Sequence, residues 1–216
     1  NIDLTLIGPE APLVNGIVDF FQSRNLPCFG PSMAASQLEG SKAFSKDFLK
    51  RHKIPSAEYE VFTDPDQAKA FISQVGTPIV VKADGLAAGK GVVVAQTERD
   101  AIAAIDDMLT DEKYGQAGRR IVIESFLEGE EASFIAMVDG KNILPMATSQ
   151  DHKTRDAGDK GPNTGGMGAY SPAPVLDEKM SNRVMSEILI PTVRGMASDG
   201  IPYTGFLYAG LMIGSK

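Results

Sequence analysis

The stretch from Pro78 to Gln96 constrains the fold more than any other part of the sequence. It reads PIVVKADGLAAGKGVVVAQ, and two β-branched runs, Ile79–Ala83 and Val92–Ala95, flank a loop that holds three glycines and a lysine. Glycine permits sharp turns and close approach of a backbone, and free N–H groups beside a lysine suit a polyphosphate. The loop is not a Walker A motif, which needs four residues between its glycines, then Lys-Ser/Thr, then a helix. We therefore predict a hairpin flap that closes over the phosphates of a nucleotide, with an ordinary β-hairpin as the alternative.

Composition excludes several classes of protein. The chain has 216 residues, 43% of them hydrophobic and 23% charged, which is ordinary for a globular protein. A net charge of −7 argues against a general nucleic-acid-binding surface, which needs a basic face. The single cysteine, Cys28, excludes an internal disulfide and a cysteine-built zinc site. No apolar run approaches the roughly 18 residues of a membrane span, and no signal peptide is evident, so we expect a cytoplasmic protein without membrane or nucleic-acid partners.

The first 30 residues predict a β-α-β unit. Residues 2–7 and 26–29 are strand-like, and apolar residues recur at helical spacing from Leu13 to Phe21. Such a unit is a fragment of a doubly wound sheet, in which ligands meet the loops at the carboxyl ends of strands. Glu10 lies on such a loop, and it is either a ligand-binding residue or a carboxylate that stabilises the helix dipole.

The middle of the chain predicts a small α+β module around the glycine loop. Residues 41–52 are amphipathic, Asp64-Pro65 is a helix start, and residues 97–100 resemble a capping box. A strand follows at residues 120–124, and Asp139-Gly140 between two apolar runs indicates a β-hairpin.

Residues 149–172 show neither a helical nor a strand period and contain five glycines. A loop of this length without secondary structure is usually functional or disordered, and we predict an ordered functional loop. A last helix is predicted over residues 178–196, kinked or ended near Pro191, and a last strand over residues 205–213, suited to a central place in a sheet.

Six motifs, taken together, carry a resemblance that covers essentially the whole chain. They are GPEAPLV (8–14), GSKAFSKDF (40–48), KADGLAAGKG (82–91), ESFLEGEEASF (124–134), SQDHK (149–153) and GPNTGGMGAYSP (161–172). In this order they resemble the phosphoribosylamine–glycine ligases of the ATP-grasp superfamily. The resemblance implies a carbon–nitrogen ligase of purine biosynthesis that joins glycine to 5-phosphoribosylamine through a glycyl phosphate, with ATP and Mg²⁺ or Mn²⁺ as cofactors.

The resemblance also implies roles for particular residues. Phosphoryl transfer depends on positioning and charge neutralisation, and the implied catalytic residues are Lys82 and Lys90. The implied nucleotide-binding residues are Lys42, Lys82, Asp84, Gly85, Leu86, Ala87, Ala88, Gly89, Lys90, Gly91, Glu124, Ser125, Phe126, Leu127 and Glu131, with the backbone of residues 125–127 on adenine and Glu131 on the ribose. The implied substrate-binding residues are Glu10, Asp151, Lys153, Asn163, Thr164, Gly165, Gly166 and Met167. The family's metal ligands are expected after Lys216, so none is expected within this chain.

The expected fold is α/β: an ATP-grasp fold with an α+β lid module and a partial N-terminal doubly wound sheet. The expected parts are a pre-ATP-grasp domain at 1–45, a connecting helix and linker at 46–61, the lid at 62–127 and a partial ATP-grasp core at 128–216. We read the chain as an internal segment of a longer protein, inactive alone. Another ATP-grasp ligase of purine synthesis and a non-catalytic nucleotide-binding module remain alternatives, whereas a kinase lobe is set aside because no HRD or DFG motif is present.

Overall fold

The computed structural model describes residues 2–87, 91–111, 113–158 and 160–214, without the side chains of Lys160, Pro162 and Asn163. The chain divides into two compact units. We call one the flap unit (Leu38–Asp47 and Ser56–Leu127) and the other the terminal unit (Asn1–Gln37, Phe48–Pro55 and Glu128–Lys216). The division into four parts expected from the sequence stays a prediction.

The terminal unit begins with the predicted β-α-β arrangement. Strands β1 (Thr5–Leu6) and β2 (Cys28–Phe29) pair in parallel, and helices α1 (Glu10–Val14) and α2 (Ile17–Gln22) connect them. The single helix expected here is divided in two, because Gly16 adopts a φ of 83° that a continuing helix does not allow. Ile7, Leu13 and Val18 form a small buried cluster under these elements.

The flap unit is built around a four-stranded antiparallel sheet, on which helices α5 (Pro65–Val75) and α6 (Glu98–Ile105) pack. Its strands are β3 (Tyr59–Phe62), β4 (Ile79–Ala83), β5 (Val92–Ala95) and β6 (Ile121–Ser125), in the order β3-β6-β4-β5. Helix α5 is capped by Asp64, and helix α6 is capped by Thr97, as the sequence predicted. A π-helical turn (Asp106–Thr110) extends α6, and a 3-10 turn covers Gly115–Gly118. The apolar faces of both helices pack on the sheet around Ile72, Ile105 and Met108.

Two helices join the units in sequence: α3 (Gln37–Gly40) and α4 (Lys42–Arg51). Helix α4 confirms the amphipathic helix predicted over residues 41–52. Its Phe48 is fully buried, and Lys50 and Arg51 lie in its last turn, where cations favourably face the negative end of the helix dipole.

The rest of the terminal unit contains a second antiparallel sheet and a long helical segment. Strands β7 (Glu130–Asp139), β8 (Ile143–Pro145) and β11 (Thr204–Ile213) take the order β11-β7-β8. The β7–β8 turn confirms the predicted Asp-Gly hairpin, with Gly140 at a φ of 94° and the Asp139 carboxylate accepting two backbone N–H bonds. Strand β11, expected to be central, lies at the edge of this sheet among the described residues. Helices α7 (Glu178–Val184) and α8 (Ile190–Ser198) are joined by a π-helical turn (Met185–Leu189), which ends two residues before Pro191.

The loop predicted over residues 149–172 is wrong: this stretch forms a β-hairpin. Strand β9 (Gln150–Asp156) pairs antiparallel with β10 (Lys160–Tyr170). The pairing shifts register twice, between Lys160 and Asn163 and again between Asn163 and Gly168. Each shift interrupts the alternation of side chains between the two faces of the sheet, which is the pattern that identifies a strand in a sequence. Strand β10 therefore shows no period of two.

Among the described residues, the longest apolar helical stretches fall short of what would be needed to cross a membrane.

Candidate active site

The glycine loop leaves the flap unit's sheet between β4 and β5, and its two ends are held closely. The Ala83 N–H donates to the Gly91 carbonyl at 2.8 Å, which closes the base of the hairpin. A Cβ atom on Gly91 would lie 2.7 Å from Ala87 Cβ, and one on Gly85 would lie 2.9 Å from the Ala117 Cα. These two glycines are therefore required by the close packing of the loop on its own chain. Ala88, Gly89 and Lys90, for which the family resemblance implies nucleotide binding, lie outside the described residues.

Asp84 anchors the start of this loop. Its buried carboxylate accepts bonds from the Ala43 N–H at 2.6 Å, from the Ser41 hydroxyl at 3.1 Å, and from Arg120 Nε and Nη2 at 2.9 and 2.6 Å. The Asp84 main chain also bonds on both sides, because its carbonyl accepts from Lys42 and its N–H donates to the Arg120 carbonyl. Asp84 thus joins the loop to the first turn of α4 and to the residue before β6, and its carboxylate is engaged in this structural network.

Three lysines lie near the root of the loop. Lys82 Nζ and Lys46 Nζ both contact Oε2 of the buried Glu124, at 3.0 and 3.1 Å. Lys42 Nζ donates to the Gly85 carbonyl at 3.1 Å. Burial lowers the pKa of Lys42, and burial also lowers the pKa of Lys46, although the Glu124 carboxylate opposes that second shift. A local excess of lysine over carboxylate next to a glycine loop is suited to a polyphosphate ligand.

Ser125, the last residue of β6, has a backbone N–H that is already engaged. The Ser125 N–H donates to the Glu58 carbonyl at 2.9 Å, so this donor is not free for an adenine ring. Phe126 is half-buried and Leu127 is exposed. The predicted adenine contact of the backbone of residues 125–127 stays a prediction, and the Ser125 carbonyl and the two following residues are its remaining candidates.

The terminal unit holds a second polar group, centred on Lys153. Lys153 Nζ contacts Glu131 Oε1 and lies 3.7 Å from Asp151 Oδ2. Burial alone would lower the pKa of Lys153, but the hydrogen bond and the charge of Glu131 outweigh burial and raise it. The structure thus brings together Glu131, expected on the ribose, and two residues expected on the substrates.

The neighbouring strand β10 supports the Lys153 backbone. The Thr164 hydroxyl donates to the Lys153 carbonyl at 2.9 Å and accepts from the Gly166 N–H at 3.0 Å. Gly165 and Met167 are exposed on the same strand, and the Asn163 backbone pairs with Thr154. Glu10, by contrast, is the exposed first residue of α1, a position that also fits its alternative role in the helix dipole.

Sequence reasoning missed three residues of the flap unit, namely Lys46, Ser41 and Arg120. Lys46 follows Lys42 by four residues on α4, and this spacing puts both lysines on one face of the helix. That spacing was the available signal for Lys46. Arg120 and Ser41 carried no signal of this kind, because their common partner Asp84 is 36 and 43 residues away in the sequence.

Two family models match the chain in succession. Residues 1–39 match the N domain of phosphoribosylglycinamide synthetase, and residues 40–216 match its ATP-grasp (A) domain. The chain belongs to the phosphoribosylglycinamide synthetase family. The ATP-grasp fold and the partial N-terminal sheet expected from the sequence are confirmed by these matches.

Relatives of the family agree with this assignment. A phosphoribosylamine–glycine ligase of Allochromatium vinosum is 64% identical over 215 residues, which are 100% of this chain and 50% of that protein. The crystal structure of the phosphoribosylamine–glycine ligase from Thermotoga maritima matches with a TM-score of 0.82 and 35% identity, over 93% of this chain and 50% of that one. The chain therefore spans about half the length of the curated relatives it matches.

More distant structures share the fold alone. The D-alanine–D-alanine ligase from Bacillus anthracis complexed with ATP matches with a TM-score of 0.64 and 20% identity, over 100% of this chain and 66% of that one. Within the described residues, no group of three or more His, Cys, Asp or Glu side chains is placed to hold a metal ion. The described residues therefore offer no ligand set for the magnesium that the family resemblance implies.

Proposed function

We propose that the protein containing this chain ligates glycine to 5-phosphoribosylamine with ATP, and that it acts in the cytoplasm. The observation that carries this proposal is the lysine cluster at the root of the glycine loop, in a chain of the phosphoribosylglycinamide synthetase family. A carboxylate–amine ligation of this kind needs an activated carboxyl group, and ATP supplies the activation by transferring a phosphoryl group.

The proposed reaction has two steps. A carboxylate oxygen of glycine attacks the γ-phosphorus of ATP, the bond to the bridging oxygen of ADP breaks, and glycyl phosphate forms. The amine nitrogen of 5-phosphoribosylamine then attacks the carbonyl carbon, the bond to the phosphate oxygen breaks, and the amine gives up one proton. The products are glycinamide ribonucleotide, ADP and phosphate.

The flap unit would serve the first step by neutralising charge and excluding water. Lys42 and Lys82 would bind phosphate oxygens, because ammonium groups form short, charge-assisted bonds with phosphates. The glycine loop would cover the nucleotide, and exclusion of water would protect an acyl phosphate from hydrolysis.

In the Lys153 group of the terminal unit, Lys153 and Asp151 would serve the substrates and Glu131 would serve the ribose of ATP. Lys153 keeps a positive charge beside Glu131 and Asp151, so the group offers a cation to a carboxylate or phosphate and two carboxylates to an amine or hydroxyl groups. Such a mixture of charges suits an amino acid or an amino sugar phosphate.

Product analysis of the full-length protein tests the proposal. We expect ADP release that requires both glycine and 5-phosphoribosylamine, together with formation of glycinamide ribonucleotide. ATP binding without substrate-dependent ADP release would favour a non-catalytic nucleotide-binding module. ADP release with a different carboxylate and amine would favour another ATP-grasp ligase.

Closure of the glycine loop over the nucleotide gives a separate prediction. We expect AMPPNP, a non-hydrolysable ATP analogue, to slow the exchange of the backbone amide hydrogens of residues 86–91 with solvent, because phosphate oxygens would accept hydrogen bonds from loop N–H groups. The amides of Ala83 and Asp84 are internal controls, because they already donate to carbonyls at 2.8 and 2.9 Å. Equal exchange rates for residues 86–91 with and without AMPPNP would contradict a lid.

A further inference from the structure

Glu124 forms ion pairs with two lysines, Lys46 and Lys82, which differ in their number of hydrogen-bond acceptors and in their exposure. Lys46 Nζ has three acceptors: Ser56 Oγ at 2.6 Å, Glu124 Oε2 at 3.1 Å and the Ala57 carbonyl at 3.2 Å. An ammonium group has three N–H donors, so these acceptors match its full capacity. The Lys46 side chain is only 10% exposed.

Lys82 is the less constrained of the two. Among the described residues, its hydrogen-bond acceptor is Glu124 Oε2 at 3.0 Å, and its side chain is 26% exposed. Two of its N–H donors therefore remain available to a ligand. For Lys82 to bind a phosphate with its full charge, its bond to Glu124 has to weaken or break.

Breaking that bond has a different cost with and without Lys46. The Glu124 side chain is only 8% exposed, and a buried carboxylate without a cationic partner is strongly disfavoured. While Lys46 stays in place, Glu124 keeps a partner when Lys82 moves to a phosphate. If Lys46 were neutral, Lys82 would be the cation nearest to Glu124 and would be retained there.

From this arrangement we infer that Lys46 is a positioning residue for ATP: it neutralises Glu124 and so releases Lys82 to bind the nucleotide phosphates. Lys46 itself does not touch the nucleotide in this mechanism. The inference rests on the proposed function, because it concerns the same phosphate site, and it adds a residue that acts on that site only through Glu124.

A double-mutant cycle on the full-length protein tests the inference. Lys46→Met removes the ammonium group and keeps the length of the side chain. We expect it to weaken AMPPNP binding, measured by calorimetry, about 10- to 100-fold, the range that corresponds to one hydrogen bond to a charged group. In steady-state assays the KM for ATP should rise, whereas the KM for glycine should stay within about twofold of the wild type.

The second arm of the cycle uses Glu124→Gln, which removes the carboxylate that would retain Lys82. In the E124Q background, we expect K46M to change AMPPNP affinity less than about threefold, because Lys82 then has no charged competitor for the phosphates. A role of Lys46 in folding alone predicts the opposite, since the double variant has lost more of the buried network than either single variant.

A second substitution covers the case in which K46M does not fold. Lys46→Gln keeps a donor for Ser56 and Ala57 but removes the charge, and it should give the same loss of AMPPNP affinity. Melting temperatures of all variants show which of them are folded. Affinity within twofold of the wild type for a folded K46M or K46Q variant would overturn the inference, and so would an equal loss in both backgrounds.

Measurements on the wild-type protein distinguish a failure of the inference about Lys46 from a failure of the proposed function. If the wild type neither binds AMPPNP nor releases ADP with both substrates, the proposed function is wrong and the role of Lys46 falls with it. If the wild type does both and K46M leaves affinity unchanged, only the role of Lys46 is wrong.

Discussion

Replacing Lys82 with alanine should lower kcat/KM for ATP by about 100- to 1,000-fold, the usual effect of removing one donor that stabilises transferring charge. Lys82 ends an apolar run at β4, where an ammonium group lies next to the glycine loop. The fold should survive the change, because Glu124 keeps its second cation, Lys46, at 3.1 Å. We therefore expect the free energy of unfolding to change by about 1 kcal/mol or less, as for a partly exposed ion pair.

The measurement needs kinetics and denaturation of the same full-length protein. Lys113→Ala is the matched control, since Lys113 lies in the same unit, is 58% exposed and pairs with Asp107. The control should leave kcat/KM and stability close to those of the wild type. A purely structural Lys82, with its stem packed on the sheet and its ammonium group on Glu124, would give unchanged ATP affinity in Lys82→Ala.

Asp84→Ala should lower the free energy of unfolding by about 2–4 kcal/mol, because it removes the shared acceptor of a buried network. The Asp84 side chain is 11% exposed, and its loss leaves the Arg120 guanidinium, the Ala43 N–H and the Ser41 hydroxyl without this partner. The estimate lies below that for a fully buried pair because Arg120 is 46% exposed and water can reach part of it.

Urea denaturation of Asp84→Ala and of Asp107→Ala measures this effect. Asp107 is the control because it also pairs with one cation, at 2.6 Å, but is 44% exposed, so its substitution should cost about 1 kcal/mol or less. If the two variants lose equal stability, the network at Asp84 does not stabilise the unit in the way argued. Asp84→Asn should fall between them, because an amide oxygen still accepts from Ala43 while the charge on Arg120 is unpaired.

The sequence by itself determined the local elements of the flap unit. The observed bounds of β4 and β5 are those predicted, and Asp64 and Thr97 cap their helices as expected. Strand period and helix caps depend on residues within a few positions of one another, and so does the Asp-Gly turn of the terminal unit, so these features can be predicted from the sequence alone. The combination of motifs also predicted the family, which the match over residues 1–216 confirmed.

Contacts between side chains that are far apart in the sequence became visible only in the tertiary structure. Lys82 and Glu124 are 42 residues apart, and Arg120 and Asp84 are 36 apart. A single lysine in a sequence predicts a solvated charge, and only the tertiary structure shows that Lys46 and Lys82 share the buried carboxylate of Glu124. Likewise, the two register shifts of β9 and β10 depend on pairing between strands, so the hairpin over residues 149–172 left no period in the sequence.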